Sequence, residues 1–543
     1  MFTVVLHMLV AVASGGGPAT QGSIMQFASS RLRRRTLVVA AAALLTVPLA
    51  AGQAIASAEL VGTTQSPDAD RTLRVVVPLE PPSLNPLNGS QSTGLVWGSM
   101  FEAGMIALDA DGRPSDTGMI TAWERTEPDT WRFTLRPDVT FHNGEPFDAE
   151  AVKFTIETYQ AGESSPMRAY TLGITAVTVV DSLTVDVTTE SPDLSIPAVL
   201  TALRALPPVY YTEVGEDAFG QDPVGAGPFV FESWEPGTRV TVTANPEYWR
   251  GAPGLAGIEY TFAGDGATRV SLLQSGEADL VISVPVQLRD DLRDGDGTTT
   301  VEKQSLAEFS LFQVTNKEQL TDPELRSAIA LAVDRQALVD YVLEGEGGVP
   351  ASNILAPLYF APEEQDVPAA DPDAARAIVE TLDDPTVTIS YGPNQSASTE
   401  AIAEAVAGML EEVGITVERN PMDFAQLQTE FVGGTMDGLI LYPIVPVFPH
   451  PKVFVEGFLT SDSITKYCNS PGIDELNDQA IAAEDEATSD ALYHEIHAIA
   501  IDQDQCITPL LYDVQSWGMV SELQGFVAPP ANIIDYFPLS FEG

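Results

Sequence analysis

The sequence predicts an α/β protein built as two unlike lobes, and three observations carry that expectation. The chain has 543 residues, 44% of them apolar, with aromatics spread throughout, so it can bury more than one core. Strand-like runs dominate its first half, whereas amphipathic helices alternate with strands in the second. No internal repeat or low-complexity block interrupts it, which argues against an array.

Taken in order, the first 58 residues contain no Asp or Glu. Arg31, Arg33, Arg34 and Arg35 precede an apolar run that ends in Ala56-Ser57-Ala58, the layout of a cleavable export signal. The run is too short to read as a membrane span. Arg34-Arg35 with Thr36-Leu37 faintly resembles a twin-arginine signal, while an ordinary secretory signal fits as well. Residues 1–24 fit neither a signal nor a domain, and a start at Met25 gives a signal of ordinary length. Residues 59–71 read as a polar linker.

"TLRVVVPLE" (72–80) is a buried-strand run, followed by a loop rich in Pro, Asn, Gly and Ser. "LVWGSMFEAGMIAL" (95–108) has helical spacing, and "TWRFTLRPDVTF" (130–141) alternates as a strand. Asn143-Gly144 then supplies a tight turn, and Asp148 caps the helix "AEAVKFTIETYQ". Strands follow at "AVTVVDSLTVDVTT" (176–189) and "RVTVTAN" (239–245). Further on, "PELRSAIALAVDRQALVDYVLEG" (323–345) and "ASTEAIAEAVAGMLEEVG" (397–414) read as helices ending in glycine, with the strand "TVTISYGP" (386–393) between them. The helix "ATSDALYHEIHAIAIDQD" (487–504) precedes the strand "CITPLLYDV" (506–514).

Charge and chemistry narrow the function. With 26 Lys+Arg against 77 Asp+Glu the net charge is −51, which repels nucleic acid and anionic membranes. Cys468 and Cys506 are the only cysteines; they suit a disulfide in an oxidising compartment, or two separate buried thiols, and leave no cysteine near the mature N-terminus to carry a lipid. No G-x-S-x-G elbow, P-loop or C-x-x-C is present. In "YHEIHA" the histidines, His494 and His497, stand three apart, whereas a zinc helix needs i and i+4. The Asp-Gly turns at 109–116 and 293–300 lack the oxygen spacing of a calcium loop. His142 and Glu145 flank a turn and read as scaffold rather than as an acid/base pair. No cofactor, catalytic residue or metal ligand is expected.

Several stretches, in register from 72 to 543, resemble the extracellular solute-binding proteins of ABC importers, family 5. They are "RVVVPLEPPSLNPL", "TWRFTLRPDVTFHNGEPFDAEAVKFTIE", "PVGAGPFVFESWEPGTRVTVTANPEYWRGAPGLAGIEY", "LLQSGEADLV", "ELRSAIALAVDRQALVDYVLEGEGGVPASNILAP" and "NDQAIAAEDEATSDALYHEIHAIAIDQDQCITPLLY". The resemblance implies a class II clamp of the periplasmic-binding-protein type, α/β, with an extra subdomain in the first lobe. It implies lobe I at 72–309 plus 509–543, with the subdomain at about 86–215, and lobe II at 310–508. It further implies a monomeric, non-enzymatic receptor outside the cytoplasmic membrane. Such a receptor takes a peptide or peptide-like solute to a permease that it meets transiently.

The ligand itself is less determined. Peptide-binding relatives show a Trp-x-x-Asp-x-x-Asp-Pro-like run. The matching stretch here, "MDGLILYPIVPVFPHPKVF" (436–454), keeps Asp437 but places His450 before the proline. A sugar, a carboxylate-bearing solute or a nickel chelate therefore remains the alternative within the class, and a secreted hydrolase the alternative outside it. The resemblance aligns Arg204 in "LTALRALPPVYY" and Asn532 in "APPANIIDYF" with cleft-lining positions. An arginine at 204 would hold a ligand carboxylate in a bidentate pair, or else pair with one of the chain's many acids. His450 faces the cleft or sits in a Pro-flanked turn, and Tyr442 and Trp517 are stacking surfaces or core.

Overall fold

A computed structural model describes residues 70–543, apart from 89–90, 103, 164, 355–365, 394–397, 464, 469, 530–532 and 543. The export signal and most of the linker expected from the sequence lie outside the described residues. No described helix is long and apolar enough to cross a membrane.

Among the described residues one mixed sheet has eleven strands. Its order is Thr416–Pro421, Thr386–Tyr391, Leu439–Ile444, Thr298–Gln313, Ile507–Val520, Leu280–Ile282, Thr72–Val77, Gly257–Phe262, Arg239–Ala244 and Phe229–Glu235, with Gly348–Pro350 pairing off Ile507–Val520. At each end the sheet serves a different core. Leu73, Val75, Ile258 and Trp517 join Phe133 and Val185 in the first core. In the second body, alternation along one strand feeds two cores: Leu439 and Leu441 pack with Val387 and Ile402, while Ile440 packs with Phe312 and Phe431. A separate four-stranded antiparallel sheet, Ile120–Glu127, Thr130–Leu135, Thr184–Thr189 and Ile174–Asp181, packs onto the first core.

The two long strands, Thr298–Gln313 and Ile507–Val520, belong to both bodies. Thr298–Gln304 pair antiparallel with Val514–Val520, and Glu308–Phe312 with Ile507–Tyr512. Between these ladders the register shifts, so residues 305–307 stand opposite Asp513 alone. A bulge of that kind bends the strand and sharpens its twist.

Two sequence expectations are corrected. The run 323–345 is not one helix: Pro323–Ala332 ends at Val333, and Asp334 caps a new turn, Arg335–Ala337, with its side chain on the Ala337 amide at 2.9 Å. An aspartate that bonds to the backbone three residues on competes with helix continuation. The helical run from 95 stops at Met100. Beyond it Gly104 lies against the Thr201 carbonyl so closely that a Cβ would overlap it, and no helical residue with a side chain fits there.

The turn at 142–148 is scaffold. Gly144 adopts φ +85°, which favours glycine. The amide of Gly225 donates to His142 Nδ1 (3.3 Å), and Nε2 bonds to the Gly227 carbonyl (3.0 Å). Both Glu145 oxygens accept from the amides of Val209 and Tyr210, at 2.8 and 2.9 Å, at the start of helix Pro208–Val214. A carboxylate there complements the helix dipole.

Candidate ligand site

Helix Ile196–Ala202 is buried along its whole length and ends at Leu203 in extended backbone, which carries Arg204 into the first core. Arg204 is 5% exposed. Its Nη1 donates to the Ala202 carbonyl, and its guanidinium lies 5.5 Å from the Trp97 ring centre. Its Nε is buried without an acceptor among the described residues, and no Asp or Glu there pairs with it. Burial accordingly pulls the guanidinium down to about 10. A cation–π contact is worth about 2 kcal/mol when desolvated, less than the several kcal/mol that dehydrating a charge costs. The site is electrostatically incomplete by itself.

The other sequence-derived candidates fall in different places. Tyr442 lies in Leu439–Ile444, stacked on Phe431 at 4.3 Å and 13°, and burial raises its hydroxyl to about 12. Trp517 is 1% exposed in the first core, against Phe526 at 5.7 Å, and its Nε1 has no partner among the described residues. His450 caps helix Pro451–Phe454 by accepting the Lys452 amide at Nδ1 (3.2 Å), and its ring meets Tyr493 edge-on at 5.8 Å. Burial pushes His450 down to about 4, so it is neutral at physiological pH. Asn532 lies outside the described residues. Among the described residues no hydrogen bond, ion pair or ring contact joins any two of Arg204, Tyr442, His450 and Trp517.

Cys468 and Cys506 are bonded, with Cα atoms 5.3 Å apart, tying the loop before helix Pro471–Ile481 to the start of strand Ile507–Val520. Among the described residues no group of three or more His, Cys, Asp or Glu could hold a metal ion.

Sequence reasoning missed two buried charge features. Lys452 Nζ meets Asp193 Oδ2 at 2.7 Å across 259 residues of chain. Glu308, beside the bulge, is 2% exposed; Ser310 donates to one oxygen and the other has no partner among the described residues. A lone lysine within the apolar run "PHPKVFVEGF" was a readable sign of the first; nothing local announced the second.

The family model described as bacterial extracellular solute-binding proteins, family 5, matches residues 117–466. The chain is similar to the probable D,D-dipeptide-binding periplasmic protein of Escherichia coli K12, at 26% identity over 78% of this chain and 85% of that protein. It is similar also to the dipeptide-binding protein of Bacillus subtilis 168, at 25% identity over 84% and 89%. Among solved structures, a substrate-binding protein of an ABC transporter from Listeria monocytogenes matches 88% of this chain and all of its own at TM-score 0.78 and 21% identity. The oligopeptide-binding protein of Bacillus subtilis, solved with a nonapeptide, matches 88% of this chain and all of its own at TM-score 0.72 and 20% identity. The fold they share with this chain is the two-lobed binding-protein clamp.

Proposed function

Because the chain belongs to the bacterial extracellular solute-binding proteins, family 5, we propose that it captures a peptide or peptide-like small solute between its two lobes and hands it to an ABC permease. In this reading Arg204 anchors the solute's carboxylate. The observation that carries it is the buried guanidinium without a carboxylate partner among the described residues. A bound carboxylate would supply the missing acceptor and charge in one bidentate contact. Relatives named for dipeptides and glutathione favour a ligand that ends in such a group.

The same reading assigns lobe I to 72–309 plus 509–543 and lobe II to 310–508. The bend falls at the bulge of residues 305–307 opposite Asp513, close to the boundary near 310. Closure around the solute would bury it and create the surface that the permease recognises. The receptor works without catalysis, as a monomer outside the cytoplasmic membrane, exported by the signal in 1–58 and not lipid-anchored through an N-terminal cysteine.

Mass spectrometry of small molecules released from the purified, denatured protein identifies the solute, and titration calorimetry with that compound measures affinity. Arg204→Ala is expected to weaken binding by about 100-fold or more, as truncating one partner of a buried charge pair does. Unchanged affinity would show that the carboxylate is held elsewhere.

A further inference from the structure

The two bodies touch along a second line besides the strands that join them. Asp193, in the loop before helix Ile196–Ala202, meets Lys452 at 2.7 Å, and each side chain is 11% exposed. Ser195 fixes the other Asp193 oxygen with its amide at 2.8 Å and its hydroxyl at 2.6 Å. Burial disfavours the Asp193 carboxylate, yet Lys452 and Ser195 hold its pKa below the ordinary value. Beside the pair, the Leu194 amide donates to the Ile481 carbonyl at 2.9 Å, and Arg125 Nη1 to the Ala483 carbonyl at 2.9 Å. The ring of Tyr170 meets that of Phe448 edge-on at 4.9 Å.

Two features set this seam apart from a permanent interface. It carries a buried ion pair and two hydrogen bonds beside Phe448 and Val453, the second body's apolar contributions to the first core. Interfaces of that character belong to domains that move against each other. Moreover, Arg125 Nε and Nη2 are buried in this structure without acceptors among the described residues. Permanently packed donors are nearly always satisfied, whereas donors on a surface that parts regularly find water whenever it is open.

We infer that this seam is the closing edge of the clamp and that the Asp193–Lys452 pair is its latch, made when the bodies close and broken when they part. The inference rests on the two-lobed clamp of the proposed function, but not on which solute is bound. Its energetics are asymmetric. In the open form both charges are hydrated, so losing one matters little there. In the closed form, removing Lys452 strands Asp193 in a buried place beside Glu456. Removing Asp193 leaves Lys452 only the attraction of Glu456, with which it makes no ion pair. A single neutralisation therefore penalises closure alone. Removing both charges relieves that penalty.

The test uses the full mature chain, stripped of bound solute by unfolding and refolding, in three forms: Lys452→Met, Asp193→Asn and the double variant. Solution X-ray scattering reads the radius of gyration, and hydrogen exchange reads the Leu194 amide. Each single variant should expand the protein and speed Leu194 exchange about tenfold or more, since a stranded buried charge shifts a two-state equilibrium by at least that factor. The double variant should move back toward the wild type. An Asp193→Cys, Lys452→Cys protein, oxidised, should show the smallest radius and the slowest Leu194 exchange.

Single variants with wild-type dimensions and wild-type Leu194 exchange would overturn the latch. So would a lowered melting temperature with unchanged dimensions, which marks a static strut. Coincident values for the oxidised and reduced cysteine protein would also count against it. None of these readouts involves solute binding, so their failure leaves the Arg204 reading standing, and the converse holds.

Discussion

Glu308 holds its carboxyl proton because burial outweighs the Ser310 hydrogen bond and the nearby Arg335, and its pKa is pushed up to about 8. An unfolded glutamate titrates near its ordinary 4.5. Between those values the folded chain binds the extra proton, so this residue's contribution to stability is full below pH 4.5 and is lost as pH rises toward 8. The slope is about 1.4 kcal/mol per pH unit. Glu308→Gln keeps an oxygen for Ser310 and removes the titration. Urea melts at pH 5, 6.5 and 8 should therefore show the variant gaining on the wild type as pH rises, and parallel curves would place the proton elsewhere. His142 acts in the opposite sense. Burial lowers it to about 4, so its contribution is lost as pH falls below 6.5. Residues like these mark the limit of a one-dimensional reading. The turn around Gly144 and the cap at Asp148 were legible because their partners lie two or three positions away. The solitude of Arg204 and the Asp193–Lys452 pair were not, because burial and partners are set by chain segments far off in sequence.

At the scale of elements, strands read well wherever alternation or a β-branched run had one buried face, as in Thr72–Val77 and Thr386–Tyr391. The helical run at 323–345 read poorly because its apolar spacing continues through Asp334, a residue that starts a helix rather than extends one. The length of the two long strands was also hidden, since each passes from one core into another and its apolar pattern changes midway. The disulfide reinforces this region. It closes a loop spanning 38 positions that contains helices Pro471–Ile481 and Glu486–Ala498. In the chain-entropy picture a loop of that size is worth about 4 kcal/mol. The Cys468→Ala, Cys506→Ala variant should lose stability of that order in urea, and an unchanged midpoint would mean that the packed Phe431–Tyr467 core suffices alone.

Over the whole molecule, the acidic excess sets the response to salt. A net charge of −51 faces few cations, and the ion pairs of the described residues are mostly partly exposed, so repulsion between unpaired carboxylates dominates the long-range field. Raising ionic strength from about 10 mM to 150 mM shortens the screening length from about 30 Å to 8 Å. The melting temperature should rise over that interval by differential scanning calorimetry, and a fall would mean that ion pairs outweigh the repulsion.

The order of strands in the large sheet has a consequence for synthesis. Strand Ile507–Val520 is made long after Leu280–Ile282 and Thr298–Gln313, yet it sits between them and supplies Trp517 and Met519 to the first core. Until it arrives, the N-terminal body has an open sheet edge and an unfilled interior. The first core is therefore completed only after the strands Thr386–Tyr391, Thr416–Pro421 and Leu439–Ile444 of the second body have been made.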